Sequence, residues 1–267
     1  MGNAATAATA ERAALLKIEK LGAVLTVGLN RPAKRNALND GIILAIQDCF
    51  SNLPEGIGAV VIHGIGDHFS SGLDLSELTE HDATEGLRHS QMWHRVFDRV
   101  QYCRVPVIAA LKGAVIGGGL ELACAAHIRV AEPSAYFALP EGQRGIFVGG
   151  GGSVRLPRLI GVARMTDMML TGRVYSATEG SAYGFSQYLT EAGGALPKAM
   201  ELAERVAANA PLTNFAVLQA LPMIAEANPQ TGLLMESLMA TVAQSDKEAK
   251  RRIRDFLDRK TAKVKPV

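Results

Sequence analysis

Between Val105 and Gly152 the chain reads VPVIAALKGAVIGGGLELACAAHIRVAEPSAYFALPEGQRGIFVGGGG, and this alternation of apolar segments with two glycine runs limits what it can build. The apolar run Val107 to Leu111 has strand character, and Gly117, Gly118 and Gly119 then lead into Leu120 to Ala126, which reads as a short buried helix. A glycine run that opens a helix leaves backbone N–H groups without intrahelical partners. With no Cβ in the way, an anionic oxygen can approach those donors, and the helix dipole favours it. Such a turn is able to act as an oxyanion hole. The same residues also suit a tight turn in which glycine supplies only positive φ or close packing.

Two carboxylates flank this feature. Glu121 lies among Leu120, Leu122, Ala123 and Cys124, an apolar setting that costs free energy for a charged group unless a partner offsets it or the side chain points outward. Glu141 follows in Ala138-Leu139-Pro140-Glu141-Gly142, after an expected strand at Tyr136 to Leu139. A pair of carboxylates beside an oxyanion site is the minimum for adding or removing water next to a carbonyl. Each glutamate alone also suits a solvated or capping residue, and the spacing does not decide between these uses.

The segment GGGLELACAAHIRVAEPSAYFALPEGQRGIFVGGGGSVRLPRLIG resembles the signature region of the crotonase (enoyl-CoA hydratase and isomerase) superfamily. Arg31-Pro32-Ala33-Lys34-Arg35-Asn36-Ala37-Leu38 is similar to that family's RPxxxNAL, and His68 to Leu75 resembles its F-x-x-G-x-D-[LI] segment. The likeness runs from about Leu16 to Lys260. It implies an α/β fold, a spiral of repeated β-β-α units with a C-terminal helical region, in place of a doubly wound sheet. It implies hole donors at the N–H groups of Leu73 and Gly118, and catalytic roles for Glu121 and Glu141. Arg31, Lys34, Ser71, Trp93, Phe256, Arg259 and Lys260 become candidate substrate contacts. The expected reaction is hydration of an α,β-unsaturated acyl-CoA thioester, with coenzyme A as part of the substrate and no separate cofactor. The alternatives are enoyl-CoA isomerase, hydroxycinnamoyl-CoA hydratase-lyase, or a non-catalytic RNA-binding or scaffold member.

The rest of the chain sets limits. With 267 residues, 48% of them hydrophobic, one substantial core is affordable, and no apolar run approaches a membrane span. Met1 to Thr9 lacks a basic stretch before an apolar one and is expected to be disordered, although Met1 to Thr6 fits the loose myristoylation pattern. Cys49, Cys103 and Cys124 are odd in number and scattered, which argues against a disulfide framework or zinc site and for a reducing, cytoplasmic setting. The six histidines include no H-E-x-x-H, so no metal is expected.

Strand patterns at Ala23 to Leu29 and Ala59 to His63 alternate with helical ones at Leu38 to Phe50 and Trp93 to Tyr102. The expected organisation is a tail at 1–12, a core with the active site at 13–195 and a helical oligomerisation region at 196–267. Asp74, after the Gly72-Leu73 turn, reads as a helix cap. Met92, Trp93, Val96 and Phe97 suit either an acyl-pocket lining or the core face of a helix. The run Gly149 to Gly152 lacks the Gly-Lys-Ser/Thr of a nucleotide loop. The resemblance implies that this run starts a helix bordering the active site. Val148 stands where the family has proline, and Gln143-Arg144 where two apolar residues are common. An arginine there suits a polar acyl tail, or simply solvent. Lys247, Lys250, Arg251, Arg252, Arg254, Arg259 and Lys260 gather near the C-terminus, while the net charge is only +2. No nucleic acid partner is expected from that balance. By resemblance the tail meets coenzyme A phosphates within a homotrimer or a dimer of trimers.

Overall fold

The structure, a computed structural model, describes residues 12, 14–77 and 82–258. The expected disorder of the first residues, and Arg259 and Lys260, lie outside the described residues. The chain divides into two compact units, residues 1–207 and 208–267.

In the first unit the strands are β1 (Leu16–Leu21), β2 (Val24–Leu29), β3 (Ala59–Gly64), β4 (Val107–Leu111), β5 (Ala114–Ile116), β6 (Ile128–Ala131), β7 (Tyr136–Ala138), β8 (Tyr175–Ser176) and β9 (Tyr188–Leu189). Six of them form one sheet in the order β1-β2-β3-β4-β6-β9, and β5-β7-β8 form a second. Only β1 with β2 and β7 with β8 run antiparallel. From β4 to β7 successive strands alternate between the sheets: β4 enters the large one, β5 the small one, and a helix leads back to β6 in the large and β7 in the small. This is the expected β-β-α spiral. The central strand β4, Val-Ile-Ala-Ala-Leu, is buried at every residue, as a parallel strand covered on both faces requires. Edge strand β1 buries only Leu16 and carries Lys17, Glu19 and Lys20 toward solvent, which discourages further pairing.

The helices of this unit are α1 (Asp40–Ser51), α2 (Ala83–Gln101), α3 (Gly118–Ala125), α4 (Gly152–Ile160), α5 (Val162–Thr171), α6 (Ala177–Tyr183) and α7 (Ala195–Ala207). Helix α2 starts ten residues before its expected beginning at Trp93. Its first half is polar and shows no apolar stripe, but Asp82 accepts from Thr84 N and Glu85 N and Glu85 reaches back to the Asp82 N–H, a closed capping box. Every residue of α3 is buried, which fits its small apolar composition. Helix α7 lays Ala195, Ala199, Leu202 and Ala203 on the apolar face that β2, β3, β4 and β6 present through Val24, Val61, Ile108 and Val130. That burial ties α7 to the sheet, so the division falls after Ala207 rather than at the expected 195/196.

The second unit is helical, with α8 (Pro211–Phe215), a π-helical turn (Ala216–Ala220), α9 (Leu221–Glu226), α10 (Pro229–Ser245) and α11 (Lys247–Leu257). Pro211 and Pro229 each sit in a first helical turn, where the missing N–H costs nothing, whereas Pro222 follows closely on the π-helical turn, with helical backbone on both sides. Leu233, Leu234, Leu238, Phe256 and Leu257 of this unit are exposed.

Candidate active site

Two backbone turns build the centre. Asn36 adopts φ 54°, a region asparagine tolerates, and its buried side chain donates to the carbonyls of Ile65 (2.9 Å) and His68 (2.7 Å) while accepting from Arg31 N (2.9 Å). This fixes the loop that follows β3. Ser70 N then donates to Ala114 O (2.9 Å) and Ile116 N to Ser70 O (3.1 Å), which pins the loop along β5. Gly72 has φ 87°, and a Cβ there would lie 2.7 Å from Ile116 O and 3.3 Å from Gly118 N, so only glycine lets the two turns come together. Gly117, at φ 52°, ends β5 and starts α3. The N–H groups of Leu73 and Gly118 have no backbone acceptor among the described residues. Gly118 owes this to its place in the first turn of α3.

Glu121, in the first turn of α3, is 4% exposed. Its Oε1 accepts from Gly150 N (2.9 Å) and Gly152 N (2.7 Å). Burial raises its pKa, opposed by those N–H groups and by the nearby Arg155 cation. Glu141 follows β7 and is 7% exposed; its Oε2 has no partner among the described residues. Burial pushes the Glu141 pKa up to about 7; the charge of Glu121 adds to that rise, and hydrogen bonding to its own backbone N–H and the charge of Arg144 oppose it. Both carboxylates line one cavity of about 380 Å³ together with Leu73, Gly118 and Trp93. Neither glutamate is solvated; Glu121 accepts the first N–H of α4 (Gly152–Ile160) from another element, and Glu141 stands at the N-cap of the 3-10 turn Gly142–Arg144 without a side-chain cap bond. One is held by main-chain donors and the other keeps a buried oxygen open to a guest, a state that native interiors rarely leave unexplained.

Trp93 is buried, and its indole rests on Gly118, where an added Cβ would meet the ring at 2.7 Å. Val96 and Phe97 belong with Trp93 to the core, Met92 packs against it half-buried, and of the four only Trp93 also lines the cavity. Ser71 and Lys34 line a second cavity of about 430 Å³, which shares Leu73 with the first and also holds Arg35 and Arg144. Arg144 is therefore beside Lys34 and Asp74 and does not line the carboxylate cavity. Asp74 does accept from Ser76 N (3.1 Å), in keeping with a cap, but it is also an anchor for Arg31 and Lys34, each at 3.0 Å. Burial alone would raise the Asp74 pKa; hydrogen bonds from Ser76, Lys34 and Arg31 outweigh it and hold the carboxylate well below the usual range. Arg31 is thus engaged with Asp74 and with the Ala37 carbonyl (2.9 Å), and it lines neither cavity. Phe256, on α11, is exposed.

His89, Ser90, Ile146 and Phe147 also line the carboxylate cavity, as do Gly86 and Val148 to Gly150, and the first four were not among the expected site residues. His89 bonds Asp40 (2.9 Å), and Ser90 donates to Gly149 O (2.7 Å). Once α2 is extended back to Asp82, helical spacing from Trp93 puts His89 and Ser90 on its face, so the capping box was the signal that finds them. Among the described residues no group of His, Cys, Asp and Glu side chains could hold a metal ion, and no helix is long and apolar enough to cross a membrane.

Residues 19–265 match the family described as Enoyl-CoA hydratase/isomerase. A short-chain-enoyl-CoA hydratase of Clostridium acetobutylicum is 32% identical over 82% of this chain and 85% of its own length. A 2,3-dehydroadipyl-CoA hydratase of Escherichia coli is 33% identical over 91% of this chain and 95% of its own. A crystal structure from Rhodopseudomonas palustris is 80% identical, with a TM-score of 0.91 over 94% of this chain and 98% of that one. Spiral, paired turns and carboxylates thus occur in a chain that matches one family over nearly its whole length: it belongs to the enoyl-CoA hydratase/isomerase family.

Proposed function

We propose that the site adds water across the α,β-double bond of an enoyl-CoA thioester to give the 3-hydroxyacyl-CoA. The observation that carries this reading is the convergence on one cavity of two buried carboxylates and two N–H groups that have no backbone acceptor among the described residues. The N–H groups of Leu73 and Gly118 polarise the thioester carbonyl and hold the enolate-like charge that develops on its oxygen. Glu121, ionised, takes a proton from the water whose oxygen bonds to C3. Glu141, protonated near neutral pH, delivers its proton to C2. One proton leaves the pair and one enters, so the pair is restored by a single internal transfer. An isomerase or hydratase-lyase commonly lacks one of these glutamates, so the retained pair supports hydration. The open hole supports an enzyme over an RNA-binding or scaffold protein.

The second cavity, with Lys34, Arg35 and Arg144 around its wall, suits the anionic part of coenzyme A leaving the thioester past Leu73. Phe256, Arg259 and Lys260 are proposed to meet the adenine and phosphates, in a homotrimer or dimer of trimers closed through the C-terminal unit. The exposed leucines of that unit support self-association. Three free thiols support a reducing compartment such as the cytoplasm.

The substrate-size limit follows from Trp93, whose ring fills the space beside Gly118. A panel of trans-2-enoyl-CoA thioesters of rising chain length, followed by loss of the conjugated absorbance, is expected to show turnover falling with length. Trp93→Ala should raise kcat/KM for the longer members relative to the four-carbon one by about 10-fold or more, the scale of a few methylenes in an apolar pocket. An unchanged length profile would remove Trp93 from the acyl wall, and no turnover of any member by the wild type would remove the hydratase reading.

A further inference from the structure

We propose that Arg155 is a positioning residue for the hydration step, acting through the Gly150–Gly152 turn to present Glu121 to the bound water. The proposal rests on the hydratase reading above and deepens it. Arg155 lies on α4, is 8% exposed, and does not line the carboxylate cavity. Its guanidinium makes three bonds to two elements. Nε donates to Gln101 Oε1 (2.5 Å) and Nη2 to Asp98 Oδ1 (2.6 Å), both on α2, while Nη1 donates to the Gly150 carbonyl (2.9 Å).

Gly150 is therefore gripped from both sides, its carbonyl by Arg155 and its N–H by Glu121 Oε1. Two residues on, the Gly152 N–H donates to the same oxygen. Gly151 joins them at φ 92°, and a Cβ on it would lie 2.4 Å from Arg155 Nη1, so the guanidinium is seated directly against the turn. Apart from this anchor and the bond from Ser90 to Gly149 O, the turn, which is glycine from 149 to 152, has little side-chain contact to fix its N–H directions. A planar fork with fixed donor directions meets three acceptors at once; an ammonium group does not reproduce that geometry. The cation also lies in the field of Glu121 and favours its ionised form against the cost of burial. Asp98, Cys124, Glu141 and the edge of His94 are the other titratable groups facing this cluster.

The test compares Arg155→Met, Arg155→Lys and Asp98→Asn with wild type on a four-carbon enoyl-CoA, with circular dichroism and Tm to establish folding. Arg155→Met is expected to lower kcat about 10- to 100-fold, the scale of a small misplacement of a reacting group, with KM changed less than about 3-fold because the residue touches no substrate. The acid limb of the kcat profile, which reports ionisation of Glu121, should move to higher pH. Arg155→Lys keeps the charge, so it should recover the limb more fully than it recovers kcat. In a Glu121→Gln background Arg155→Met should cause little further loss, since the two act as one unit. Should Arg155→Met fail to fold, Asp98→Asn, at a half-exposed position, should shift the limb to lower pH, because it removes the anion paired with the Arg155 cation and keeps an acceptor for Nη2; an unmoved limb there overturns the proposal. An unmoved limb in both Arg155→Met and Asp98→Asn, or an equal loss on adding Arg155→Met to Glu121→Gln, overturns the proposal. Full turnover in Glu121→Gln alone would instead overturn the hydratase mechanism beneath it.

Discussion

Glu121→Gln and Glu141→Gln are each expected to fold as the wild type and to lose about 100- to 10,000-fold in hydratase turnover, the range for one general acid or base. Glutamine keeps the size of the side chain and cannot exchange a proton. The double variant should be little worse than the poorer single, because groups that act on one water are not additive. The two singles should differ in exchange of the C2 proton with deuterated water: Glu141→Gln abolishes it, and Glu121→Gln retains part. Wild-type kcat/KM should fall as pH rises through about 7, where free Glu141 loses the proton it must deliver, and that limb should be missing in Glu141→Gln. Stability should follow the same group. Its folded pKa of about 7 lies above the ordinary 4.5, so the stability of the protonated form is complete below about 4.5 and is lost as pH rises to about 7. The difference in unfolding free energy between wild type and Glu141→Gln, measured by urea titration, should move against the wild type across that window. Retention of full turnover by Glu121→Gln would make Glu121 a structural residue.

Gly118→Pro should lower kcat by at least 100- to 1,000-fold, the scale of one lost hole donor. Proline is tolerated at the first position of a helix, which is where Gly118 stands. The added ring would meet Trp93, whose indole lies 2.7 Å from the position of a Cβ. Gly118→Pro is therefore best made together with Trp93→Leu, and compared with Trp93→Leu alone, so that packing and donor loss are read separately. Circular dichroism establishes the fold of both. Equal turnover in the two would take the Gly118 N–H out of the hole.

The parts of this molecule that were legible in the sequence are those fixed by local pattern. Strand β4 falls on the apolar run Val107 to Leu111, and α3 follows the glycines, because a fully apolar segment bounded by glycine has few alternatives. The first half of α2 carries no apolar stripe to announce it; the Asp82 capping box and the polar bonds of His89 to Asp40 and of Ser90 to Gly149 O hold it in place. Met92, Val96 and Phe97 illustrate the limit of periodicity: it finds a buried face and cannot tell a pocket wall from a core. Both glutamates singled out in the sequence line one cavity, but the surroundings of neither could be read there. The two main-chain bonds to Glu121 come from a turn about thirty residues downstream, and the pKa of Glu141 comes from burial, both products of the assembled spiral. Arg144, which suits either a polar acyl tail or solvent, is exposed and lines the cavity of Lys34 and Asp74.

The most direct test of the account is the fate of one water. Wild-type enzyme turning over a four-carbon enoyl-CoA in deuterated, oxygen-18-enriched water should give a 3-hydroxyacyl-CoA with one heavy oxygen at C3 and deuterium at C2, identified by mass spectrometry and NMR. A product in which the double bond has moved with no heavy oxygen gained, or in which an aldehyde has been released, would contradict it.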